Sequence, residues 1–179
     1  MLMFFVTSIL LFVKAQKEKQ AEEEIKAHIL TNYGLGLFAG GVATLVWEIY
    51  HWYRELNPQD RWVGTFFYEV EPVENFSANY LSFVSLMALG FAVLFMSNTI
   101  EKDVQQKKIP YITYFVVLME GMLIVGMFVP TILSWIIYAW IVSVLLAGLN
   151  IVFSYAKVIK QVSGPVKTKT LKLVIGLFV

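Results

Sequence analysis

An all-α, polytopic transmembrane helical bundle, with four full spans and two partial terminal apolar helices, is the fold this sequence predicts. Three observations predict it. Hydrophobic residues make up 58% of the chain and charged ones only 15%, with a mean hydropathy of +0.67, a balance that suits lipid better than water. Four apolar stretches are long enough to cross a hydrocarbon core of about 30 Å, which takes roughly 20 helical residues. Finally, lysine falls in alternate loops, the pattern left by insertion with positive charge inside.

Taken in order, the chain opens with an apolar run over residues 1–13 that reaches only about 20 Å as a helix. Lys14, Lys17 and Lys19 follow that run instead of preceding it. This is the reverse of a cleaved signal peptide and favours an uncleaved anchor. Residues 14–28 read as a soluble helical extension, with Glu18, Glu22 and Lys26 at four-residue spacing on one helix face. Full spans are expected over 29–50, 78–98, 109–129 and 131–155. The run 171–179 reaches about 14 Å and reads as a second partial helix. On length, the two terminal runs are expected to be clipped helices of a longer polytopic chain forming a single membrane domain.

Orientation follows from the lysines. Residues 14–28, 101–108 and 156–172 hold four, three and five of them, twelve of the fourteen basic residues. The loop 52–77 holds only Arg54 and Arg61, against Glu55, Asp60, Glu69, Glu71 and Glu74. The amino terminus is therefore expected outside, and the three lysine-rich segments in the cytoplasm. Trp47, Trp52, Trp62 and Trp135 fall near the outer boundary, where an indole keeps its body in lipid and its N–H wet. Residues 52–77 then form an external interfacial loop.

Helices in lipid associate through close packing and polar contacts. The second helix carries Gly36, Gly40 and Gly41, with Gly36 and Gly40 one turn apart in a G-x-x-x-G. Small residues recur at Ala88 and Ala92, Gly121 and Gly126, and Ser143 and Ala147. Packing within one bundle is the expected use, ahead of a dedicated dimer face.

Glu120 stands apart among the polar residues. It lies ten residues from both Pro110 and Pro130, near the bilayer midplane. A charge there costs at least about 2.5–3.5 kcal/mol, so Glu120 is expected to face the bundle, find a donor or stay protonated. The tight turn at Pro130 makes its two helices antiparallel neighbours. That places Trp140 and Ser143 near its depth, with the glycine face of the second helix as the other expected contact. Its readings are a proton or cation site, or a structural glutamic acid bonded between helices. Glu48 and His51, three residues apart at the outer end of the second helix, form a possible pH-responsive pair at the interface.

Several function classes drop out. The near-balance of charge, +1 overall, offers no basic field for nucleic acid. The absence of cysteine removes disulfides and thiolate metal sites. His28 and His51 are 23 residues and about 35 Å apart on one helix and cannot share a haem or metal. No H-E-x-x-H, phosphate-loop or G-x-S-x-G motif occurs. A non-enzymatic integral membrane protein without a cofactor is expected. Its expected partners are membrane lipid and either another membrane protein or a second copy of itself. The leading role is the membrane-embedded sensor or scaffold region of a larger polytopic protein, similar in plan to the input regions of prokaryotic multi-helix sensors. A proton- or cation-coupled transporter or channel subunit using Glu120, and an accessory subunit of a larger membrane complex, are the rivals.

Overall fold

The computed structural model describes residues 2–56 and 76–161, and among them every regular element is helical. The helices are α1 (Leu2–Gln20), α2 (Glu24–Leu56), α3 (Phe76–Thr99), α4 (Tyr111–Phe128) and α5 (Pro130–Gln161), with a π-helical turn over Ile100–Val104 continuing α3. Three segments are long and apolar enough to cross a membrane: Glu24–Tyr53, Phe83–Val104 and Trp135–Lys157. The fourth apolar stretch, Tyr111–Gly126, is shorter. Its helix of 18 residues is about 27 Å long, because Pro110 and Pro130 bracket it and neither can sit inside a helix without removing a backbone donor. Trp62, most of the 52–77 loop and the run 171–179 lie outside the described residues.

Apolar length defines the part of a helix that suits lipid, whereas the helix itself continues until something stops it. Accordingly α2 starts five residues before position 29 and ends six after position 50, since no glycine or proline interrupts Glu24–Ile29 or Tyr50–Leu56. The first apolar run likewise extends through its lysines to Gln20. The lysine-rich extension differs from expectation in one respect. Glu22 takes a left-handed backbone, φ 63, which side-chain-bearing residues rarely adopt. The chain reverses there, so Glu22 and Lys26 do not share a helix face. Lys26 pairs instead with Glu18 of α1 and Glu23 of the turn, both at 2.9 Å.

From that reversal α1 runs back along α2. Phe12 lies over Gly34, and Phe4 and Phe5 lie over Gly41. The buried Ser8 hydroxyl donates to the Gly34 carbonyl at 2.8 Å. On another face of α2, Gly36 and Gly40 receive α3 at Ala92 and Met96, and Ser85 donates to the Ala43 carbonyl at 2.9 Å. The glycines of α2 thus serve two intramolecular contacts, each a close backbone approach of the kind small residues permit.

The α4 and α5 pair packs on the other side of α3. Although α4 is apolar nearly all round, its buried positions are Thr113, Val116, Met119, Glu120, Leu123 and Gly126, a stripe at helical spacing. Val117, Leu118, Ile124 and Val125 are exposed, as suits a lipid-facing side. On α5 the stripe runs Ile136, Trp140, Ser143, Ala147 and Ile151. Met119, Leu123, Ile136 and Trp140 form one core, with Phe83, Leu86 and Met87 of α3 against it.

Candidate functional site

Two polar centres lie on the contact between α3 and the α4–α5 pair. The first is at Glu120, which is 5% exposed. Glu120 and Trp140 are each ten residues from Pro130, so the turn brings them to one level. The Trp140 indole N–H donates to Glu120 Oε1 at 2.5 Å, and Trp140 is itself 2% exposed. Ser143, the other expected donor, gives its hydroxyl to the Trp140 carbonyl at 2.7 Å and steadies the turn that carries the indole. Glu120 Oε2 is buried with no hydrogen-bond partner. A glycine does face Glu120, but it belongs to α3 and not to α2: a side chain at Gly90 would overlap the carboxyl group. The expected glycine face of α2 is taken up by α1 and α3.

The second centre is the π turn and the three residues after it. In it the Gln105 N–H reaches the Ile100 carbonyl at 2.8 Å, a five-residue span. Such turns rotate the side chains that follow relative to an α-helix and recur at functional positions. Glu101 is fully buried. Its Oε2 accepts from the Thr113 backbone N–H at 2.8 Å and from the Thr113 hydroxyl at 3.0 Å, while its Oε1 accepts from Lys107 Nζ at 2.9 Å. Thr113 is the third residue of α4, whose first-turn N–H groups have no intrahelical acceptor. The carboxylate therefore caps the helix and lies at the positive end of its dipole. Lys107 closes the charge balance from the solvent side.

Other elements converge on the same turn. Asp103 Oδ2 lies 3.1 Å from His28 Nδ1 of α2, and His28 Nε2 lies 3.3 Å from Asn32 Nδ2. A neutral imidazole with its proton on Nδ1 satisfies both contacts. Gln105 Nε2 donates to Asn150 Oδ1 at 2.8 Å and to the Ser154 hydroxyl at 2.5 Å on α5, and the Tyr33 and Tyr155 hydroxyls bond α2 to α5. Ile100, Ile151 and Tyr155 form the apolar floor beneath. Glu101 was concealed in the sequence because it opens a charged stretch, 101–108, that reads as a solvated loop. The signal that marks it is a carboxylate twelve residues before an unfilled helix start at Pro110–Thr113.

At the carboxy-terminal end of α2, Glu48 and His51 are both exposed and no hydrogen bond joins them among the described residues. The His51 ring stands edge-on to Trp47, with centroids 5.0 Å apart, and lies beside Tyr50. Trp52 and Trp135 are 70% and 76% exposed, at the end of α2 and the start of α5. Among the described residues no group of three or more acidic or histidine side chains is placed to hold a metal ion.

No family model, curated protein or solved structure matches this chain.

Proposed function

We propose that this chain is a non-enzymatic, multi-pass membrane module that acts as a sensor or scaffold, passing changes in helix arrangement to its lysine-rich cytoplasmic loops. Its spans are those over 29–50, 78–98, 109–129 and 131–155, with the amino terminus outside and residues 14–28, 101–108 and 156–172 inside. Membrane lipid is its principal partner, with another membrane protein or a second copy as a further one. The observation that carries the reading is the π turn: within Glu101–Gln105, the alternate side chains Glu101, Asp103 and Gln105 hold α4, α2 and α5 in turn. A small displacement of any of these helices is therefore felt by the segment that bears Lys102, Lys107 and Lys108. Packed helices tend to switch between discrete arrangements instead of deforming continuously, so such a turn suits a relay of signal.

The chain has no cysteine, so single cysteines can be introduced without a background. Membrane-impermeant labelling should reach a cysteine at Glu71 and one at Lys107 from opposite sides; labelling of both from one side overturns the topology. Spin labels at the exposed positions Lys102 and Lys157 should report a distance distribution that shifts with bilayer thickness. A distribution indifferent to the lipid would end the sensing role.

A further inference from the structure

The geometry around Glu120 points to a proton-binding site in the interior of the bundle, with Glu120 Oε2 as the atom that takes up and releases the proton. It goes beyond the sensor reading and does not depend on it, since proton binding is a local property of the α3, α4 and α5 contact. Four features carry it. Glu120 is 5% exposed and sits near the middle of its helix, where an acid is retained only against a cost of a few kcal/mol. Its two oxygens have different surroundings: Oε1 accepts the Trp140 N–H, whereas Oε2 is buried and unpartnered. Gly90 leaves room at the carboxyl that any other residue would fill. Finally, the side chains of the adjoining cluster are apolar.

That last feature selects the proton over a metal ion. Sodium, potassium or a divalent cation needs several oxygen ligands, and the cluster that contains the donor Trp140 is apolar, with Met119, Leu123 and Ile136 beside it and Phe83, Leu86 and Met87 of α3 packed against it. The indole contributes an N–H, which repels a cation. None of these facing groups is titratable, and Tyr138, nearest in sequence on α5, points to the exposed side. The nearest charged groups along the α3–α4 contact are Glu101 and Lys107, which already satisfy each other. Glu101 is also about two helical turns away, since its partner Thr113 lies seven residues, roughly 10 Å, from Glu120. Glu120 is thus free to change charge alone. With the proton on Oε2 the group is neutral and Oε1 still accepts from Trp140; when the proton leaves for water, the carboxylate keeps only the indole and draws on it more strongly.

The test is infrared difference spectroscopy of the full chain in lipid nanodiscs while the pH is varied. A protonated-carboxyl C=O band should fall in intensity as pH rises, be lost in Glu120→Gln, and move in frequency in Trp140→Phe, which removes the donor to Oε1. The Trp140→Phe shift identifies the band even if Glu120→Gln does not fold. A Glu120 band that keeps its intensity at every pH overturns the proposal, as does a spectrum in which neither variant changes any carboxyl band.

Discussion

Gly90 of α3 and Glu120 of α4 divide one volume between them: the carboxyl group occupies the place a side chain at position 90 would need. The neighbouring glycine of α4, Gly121, has open space where its side chain would be. The same substitution should therefore have opposite signs at the two positions. Gly90→Ala forces α3 and α4 apart or turns Glu120 off its rotamer, and overpacking of this kind costs about 1–3 kcal/mol. Gly121→Ala meets nothing and gains helix propensity worth up to about 1 kcal/mol. Thermal unfolding in detergent should show a lowered Tm for the first and an unchanged or raised Tm for the second.

The bond between Trp140 and Glu120 can be valued by a double-mutant cycle. Trp140→Phe keeps most of the ring but leaves a second buried carboxyl oxygen unsatisfied, which costs about 1–3 kcal/mol. Adding Glu120→Leu removes the stranded group altogether, so the double variant should be no less stable than Trp140→Phe alone. A coupling of about 0.5–3 kcal/mol is expected for groups in direct contact. Additive losses measured by unfolding would mean that the bond contributes nothing to stability.

Why Trp140 was legible and Gly90 was not is a matter of what sets each register. The turn at Pro130 is so tight that depth on α4 can be counted onto α5, and ten residues either side of it lead from Glu120 to Trp140. Between α3 and α4 no such count works. The helix continues past Asn98 to Thr99 and then winds as a π turn, a change of pitch that leaves no mark in hydropathy. Glu101 was misplaced for the same reason: a charge in a segment with three lysines resembles a solvated loop until the helix carrying it is known to turn inward. The reversal at Glu22 is similar, since four-residue spacing implies a shared face only if one helix carries Glu18, Glu22 and Lys26 together.

Glu101 makes a local prediction. Its carboxylate takes the Thr113 N–H, and loss of a capping acceptor at a helix start costs about 0.5–2 kcal/mol. Glu101→Ala should accelerate amide hydrogen exchange at Ile112 and Thr113, while amides in the middle of α4 near Glu120 exchange as before. Lys107→Ala, which keeps the cap but removes the compensating charge, should change exchange at Thr113 less than Glu101→Ala does. Equal exchange at Thr113 in wild type and Glu101→Ala would show that the cap does not hold the helix start.

At the α1–α2 reversal the prediction concerns pH. The hydrogen bond and charge of Lys26 hold the Glu23 carboxyl below its ordinary value of 4.5. A carboxyl whose pKa is depressed in the folded state adds stability that is present above the ordinary value and lost as pH falls through the depressed one. The turn should therefore stay ordered at neutral pH and loosen only in acid, below the usual glutamate range. A spin label at the exposed Gln20 should gain mobility there. In Lys26→Ala the main cause of the depression is gone and only the smaller contribution of Glu18 remains, so mobility should already be raised at neutral pH and change less on acidification. A wild-type label whose mobility is flat through the acid range would mean that the salt bridges do not hold the reversal, and that packing of Ala15 and Ala27, both buried beside it, does so alone.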